Sequence, residues 1–176
     1  EILKEKFVTT AVITTNAFYS DKRYNTDGFI EDNAVKLKIY EVDFYHQFIG
    51  LIKEKVAVAF LGDVDVIEIF ERWLFVDKLN VNVIPEELKT RGYNFLIVMY
   101  VNGDIKIIDS VSVRVTKVSI PACGYLAYGS GGGYAQGALM MGVSPIEAIK
   151  LASKNDKYTN DVVDKLCLKT FKFTTH

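Results

Sequence analysis

A hydroxyl becomes a nucleophile near neutral pH only with a base inside hydrogen-bonding reach, so the informative residues are hydroxyls, amines and carboxylates at fixed spacing. Thr9-Thr10-Ala11-Val12 opens a β-branched run with paired threonines, and Ser20-Asp21-Lys22-Arg23 follows closely. Lys36-Leu37 begins the next alternating segment, with Lys38 two residues on. Late in the chain, Gly129-Ser130-Gly131-Gly132-Gly133 precedes Asn155-Asp156-Lys157-Tyr158-Thr159. Each has a bland reading. Thr9 and Thr10 suit an ordinary strand, Asp21 and Arg23 a surface pair worth little, and Lys36 and Lys38 one solvated strand face. Asp156 and Thr159 suit a helix end and the turn after it.

Other chemistries are poorly served. The two histidines, His46 and His176, lie far apart, which argues against a metal site or a histidine triad. Cys123 and Cys167 form no C-x-x-C pair and read as small buried hydrophobes, with no zinc site expected. The glycine-rich run lacks the Gly-Lys-Ser/Thr of a phosphate loop, and Tyr134 stands where a dinucleotide fingerprint needs its third glycine. No cofactor is expected.

The elements that must position these residues come from a chain of 176 residues, 49% of them hydrophobic, with 21 basic against 22 acidic side chains. That fits one domain, 1–176, with a sizeable core, and gives no electrostatic footprint for nucleic acid or anionic membrane. The longest apolar runs, Val56–Leu61 and Phe95–Val101, are far shorter than a membrane span. Glu1–Val8 is charged throughout and has no apolar signal core, so the expected location is cytoplasmic.

The first half reads as strands: Phe7–Thr15, a turn at Asn16-Ala17, Phe18–Arg23, then Ala34–Val42 and Val56–Leu61. A helix is expected from Asp63, with Val64, Ile67, Phe70 and Trp73 or Leu74 at helical spacing. After a turn at Pro85-Glu86-Glu87, Asn102-Gly103-Asp104 predicts a hairpin between Tyr93–Val101 and Ile105–Ile108. A strand ending near Tyr128 leads to a helix over Tyr134–Met141. Ser144-Pro145-Ile146-Glu147 then starts a second helix running to about Asn155. Val162–Phe171 reads as the last strand. This order suits an α+β fold, a four-layer αββα sandwich of two antiparallel sheets with helices outside.

Three segments together resemble the proteasome β / HslV-type threonine peptidase family, with the short-hairpin look of phage-encoded members. They are the paired threonines with the Asp-x-Arg of Asp21 and Arg23, the lysine on the following strand, and the Gly-Ser-Gly-Gly turn leading to Asp-x-Tyr-Thr. The likeness spans roughly residues 7 to 167, is strongest in the last third, and is weakest between Lys36 and Val56, where Glu41–Lys55 looks like a family-atypical insertion. It implies an N-terminal-nucleophile hydrolase fold. Thr9 would attack, with its own α-amine, of unperturbed pKa about 8, as base. Lys36 would keep that amine neutral, Asp21 would hold Lys36, and Ser130, Asp156 and Thr159 would orient the amine and hydroxyl. Ala59 would give an oxyanion N–H where relatives carry glycine. The family register selects Lys36, whereas a two-residue slip would select Lys38.

The resemblance also implies a homo-oligomer, a ring or double ring, with protein or peptide substrates and an ATPase unfoldase as partner. One departure stands out. Glu1–Val8 precedes Thr9, and Val8 occupies the position where self-processing relatives carry glycine. Two readings stay open: a propeptide over residues 1–8 awaiting removal, or an inactive ring-forming subunit, which if viral would act in the host cytoplasm. A non-peptidase amidohydrolase with the same nucleophile is a third.

Overall fold

Thr10–Thr14 forms the first strand, β1, and four of its five residues are buried. Successive side chains of a strand point to opposite faces, and each face of β1 meets its own core. Ala11 and Ile13 enter one apolar cluster, Val12 another. A strand buried on both sides belongs inside a layered molecule. The structure is a computed structural model describing residues 9–26, 29–31 and 36–176, with backbone alone at 24–26 and 29–31.

Strand β1 pairs antiparallel with β2 (Ala17–Asp21) on one side and with β10 (Tyr125–Gly129) on the other. Beyond β2 lie β11 (Val163–Cys167) and β12 (Lys172–Thr175), completing a five-stranded sheet in the order β10-β1-β2-β11-β12. The second five-stranded sheet is a meander of β5 (Leu37–His46), β6 (Gly50–Gly62), β7 (Phe95–Val101), β8 (Asp104–Asp109) and β9 (Thr116–Lys117). Between the sheets sequentially, β3 (Tyr24–Thr26) and β4 (Phe29–Glu31) form a separate two-stranded ribbon.

Phe18, Leu37, Ala59, Val98 and Leu166 fill the space between the sheets. The outer face of the second sheet, through Val58, Phe60 and Ile97, takes helix α1 (Asp65–Phe75) by Phe70, Trp73 and Leu74, with Leu88 of α2 (Glu86–Thr90) beside it. The outer face of the first sheet takes α3 (Gly132–Met140) and α4 (Pro145–Ser153) through Ala135, Ile149 and Ala152. The expected αββα sandwich is therefore the observed architecture. No helix among the described residues is long and apolar enough to cross a membrane.

Several boundaries differ from expectation. Pro85-Glu86-Glu87 starts the short helix α2 rather than a turn. The segment Glu41–Lys55, which looks like an insertion in the sequence, is the outer half of the β5–β6 hairpin, paired from Glu41↔Lys55 to His46↔Gly50. Val162–Phe171 is not one strand, because the chain reverses with Phe171 at φ +52° and returns as β12. Helix α1 begins two residues after Asp63, whose carboxylate instead accepts from the Asn94 N–H at 2.7 Å. Helix α3 starts at Gly132, ahead of Tyr134. Cys123 is exposed and Cys167 half-buried, so neither is a core residue. The expected features at Phe7–Val8 and Ala34–Val35 lie outside the described residues.

Candidate active site

Thr9 immediately precedes β1, Lys36 immediately precedes β5, and Asp21 is the last residue of β2. Three strand ends thus meet at one rim of the sandwich. Thr9, Asp21 and Lys36 are each at most 1% exposed. The Thr9 hydroxyl donates to Asp21 Oδ1 at 2.5 Å, and the Lys36 ammonium donates to the same oxygen at 2.8 Å. Lys36 Nζ also donates to Thr9 Oγ1, closing a triangle. The other Asp21 oxygen accepts from the backbone N–H groups of Arg23 at 3.0 Å and Asn160 at 3.2 Å.

A buried ion pair is a weak source of stability, because desolvation offsets most of its attraction. Burial is also the larger influence on Lys36: it pushes the ammonium pKa below its ordinary value, while Asp21 opposes the shift. A desolvated amine touching a hydroxyl and a carboxylate is an arrangement that suits proton transfer. Lys38 is elsewhere. Its Nζ lies 3.2 Å from Glu71 Oε1, an oxygen shared with the Tyr40 hydroxyl at 2.7 Å. Of the two lysines the sequence offers, the structure brings Lys36 to Thr9.

The late segments converge on the same rim. Gly129 closes β10 at φ +95°, where a Cβ would lie 1.8 Å from the Thr9 carbonyl oxygen, so only glycine lets the two backbones approach. Ser130, next in sequence, donates to Asp156 Oδ2 at 2.6 Å and lies 3.4 Å from the Thr9 carbonyl oxygen. Asp156 follows α4 and also accepts from the Thr159 hydroxyl at 2.7 Å. Thr159 Oγ1 is 2.6 Å from Thr10 Oγ1.

Ala59 is placed differently. It sits at the centre of β6, opposite Leu37 and Val98, with its methyl between the sheets. Neighbouring N–H groups of an antiparallel strand point to alternate sides. Phe60 donates toward β5, to Lys36 O at 2.9 Å, and Asp63 donates toward β7, to Asn94 O at 2.9 Å. This alternation turns the Ala59 N–H toward β7. On the Lys36 side, the next N–H along β6 belongs to Gly62.

No family model matches the sequence, and no curated protein matches it by sequence. Solved structures match along nearly the whole chain. The eukaryotic HslV from Trypanosoma brucei aligns over 96% of this chain and 99% of its own, with TM-score 0.59 and 18% identity. Anbu, an ancestral β-subunit, from Yersinia bercovieri aligns over 95% of this chain and 86% of its own, with TM-score 0.63 and 12% identity. The fold is that of HslV and Anbu. An Anbu variant from Hyphomicrobium sp. strain MC1 agrees equally well, with TM-score 0.63 and 13% identity over 96% of this chain.

Within this HslV-type frame, two contributors had no assigned part in the sequence reading. Asn160 donates its N–H to Asp21 while its side-chain oxygen accepts the Lys22 N–H at 2.9 Å. Thr10, part of the paired-threonine motif but without a role of its own in the sequence, sends its N–H to Asp21 Oδ1 at 2.9 Å and lies with its hydroxyl 2.6 Å from that of Thr159. For Asn160, adjacency to Thr159 was the available signal. For Thr10 it was a hydroxyl in a strand that otherwise buries Ala, Val and Ile.

Proposed function

We propose that this chain is a subunit of an HslV-like, threonine-type endopeptidase that works on protein or peptide substrates inside a ring-shaped, self-compartmentalised homo-oligomer. The observation that carries the reading is the Thr9 hydroxyl, buried between the Lys36 ammonium and the Asp21 carboxylate on an HslV-type fold. Ser130, Asp156 and Thr159 act in support. A cytoplasmic setting and an ATPase unfoldase that delivers substrate belong to the same reading. The solved helical assembly of the Anbu complex from Pseudomonas aeruginosa supports self-association.

In the reaction, Thr9 Oγ1 attacks the scissile carbonyl carbon and its proton passes to the α-amine of Thr9, once that residue leads the chain. Lys36, ionised beside it, favours the neutral amine and the developing alkoxide. Asp21 fixes Lys36. The tetrahedral oxyanion needs an N–H donor, and the alternation along β6 favours Gly62 over Ala59 for that part. Collapse expels the leaving amine with the proton and leaves an ester on Thr9, which water then cleaves.

The test is intact-mass spectrometry of the full chain incubated with fluorogenic peptides, alongside Thr9→Ala. The expected result is a species beginning at Thr9, with turnover lost by about 10³-fold or more in Thr9→Ala. A second reading, an inactive ring-forming subunit, is favoured by Val8 standing before Thr9. An uncut mass without turnover, in a protein that still assembles, would select that reading. Turnover that disappears with the Thr9 hydroxyl would eliminate it.

A further inference from the structure

We infer that Thr10 is a positioning residue whose amide and hydroxyl tie the Asp21–Lys36 pair to the Asp156 network, thereby holding the Thr9 hydroxyl against Lys36. Its catalytic consequence rests on the peptidase reading, while its geometric consequence does not. Thr10 is fully buried. Its N–H donates to Asp21 Oδ1 at 2.9 Å, the oxygen that also takes the Thr9 hydroxyl and the Lys36 ammonium. Its side chain reaches the other way, with Oγ1 2.6 Å from Thr159 Oγ1.

The direction of that second bond follows from counting hydrogens. A hydroxyl has one to give, and Thr159 gives its own to Asp156 Oδ2 at 2.7 Å. Thr10 is therefore the donor in the 2.6 Å contact, and the chain runs Thr10 to Thr159 to Asp156. It ends on a carboxylate, which strengthens each link through the charge. Ser130 closes the circuit, donating to the same Asp156 oxygen and lying against the Thr9 carbonyl. The residue after the nucleophile is thus bonded directly to Asp21 and, through Thr159, linked to Asp156, and the nucleophile hangs from it.

A simpler account would make Thr10 an ordinary strand threonine satisfying its hydroxyl wherever convenient. The glycine run argues otherwise. A Cβ on Gly131 would lie 2.1 Å from Thr10 Oγ1 and 2.8 Å from Thr159 Oγ1, so that position is kept empty to seat this pair of hydroxyls. The χ1 of a β-branched side chain is stiff, which makes Thr10 a fixed strut. Valine has the same shape without the hydrogen, so Thr10→Val removes the strut's bond and little else.

The experiment compares the full-length wild-type chain, Thr10→Val and Thr10→Ser by peptide kcat and KM, by NMR titration of the Lys36 Cε signal, and by thermal melting as a check of folding. Thr10→Val is expected to lower kcat about tenfold or more with KM within about twofold. It is also expected to move the Lys36 titration midpoint by about half a unit or more, with Thr10→Ser restoring both. Unchanged kcat and an unmoved midpoint in folded Thr10→Val would overturn the inference. So would a folded Thr10→Ser as impaired as the valine variant. If the wild type turns over no peptide, the peptidase reading fails and the Lys36 midpoint alone decides this one. Should Thr10→Val not fold, Thr159→Ala breaks the same hydrogen-bond chain from its far end and is read identically.

Discussion

Taking the Lys36 ammonium out of water costs more than Asp21 returns, so its pKa in the folded chain lies below the ordinary 10.5, burial being the larger cause. Between those two values the unfolded chain holds a proton that the folded chain has released. Unfolding free energy therefore rises with pH across that window and is flat below it for this group. Urea titrations from neutral to alkaline pH should show the rise in the wild type and lose it in Lys36→Met; equal slopes in both would refute the assignment. At this scale the sequence was only partly legible. Thr9, Asp21 and Ser130 stood out through the family resemblance of segments recurring in order. Lys36 and Lys38 share one strand face, so residue type alone does not separate them, and what each touches agrees with the register that selects Lys36. The direction of the Ala59 N–H is not written in residue type, because it depends on which neighbouring strand each residue faces, and a shift of one position along β6 reverses it.

Local chemistry decided the elements that were read correctly. Asn102 and Gly103 both have positive φ, +52° and +79°, the geometry of a two-residue hairpin turn. Ser144 caps α4 by accepting the Glu147 N–H at 3.3 Å, with Pro145 in the first turn. The reversal before β12 has no turn signal in the sequence, because Lys169-Thr170-Phe171 carries neither glycine nor proline. The outer half of the long β5–β6 hairpin is not legible in the sequence, because it is largely exposed and lacks the apolar run of a buried strand. Its tip presents Tyr45, Phe48, Ile49 and Leu51, each more than two-thirds exposed. Such side chains contribute little to the folded state, and Phe48→Ser with Ile49→Ser should change unfolding free energy by only about 0.5 kcal/mol. Chemical denaturation of the double variant checks this, and a loss several times larger would mean that the tip is covered.

For the molecule as a whole, the layer order was readable because the central strands of the two sheets are apolar on faces that need partners. Val12 and Ile13, one residue apart, demand opposite cores, and only stacked sheets with outer helices supply both. Assembly is a property of the outside, and the outside of α3 is unusual. Tyr134 and Met140 of α3, with Met141 just past its end, are 53%, 74% and 87% exposed, beside the small residues Gly133 and Gly137. Under the ring-forming reading this surface is part of a subunit interface, where a few apolar anchors dominate the affinity. Met140→Asp with Met141→Asp should therefore convert the oligomer to monomer without lowering the thermal midpoint of the monomer. Sedimentation velocity reads the outcome, and an undiminished oligomer would move the interface elsewhere.

Among the described residues, Asp21 accepts at Oδ1 from Thr9, Thr10 and Lys36 and at Oδ2 from the N–H groups of Arg23 and Asn160. An asparagine there would have to aim its own NH₂ at two or three donors, whichever way its amide turned. The seat accepts a group with two oxygens and no hydrogen. Shape alone would call the exchange conservative, yet the amide is the one isostere this rim of the molecule repels from both sides.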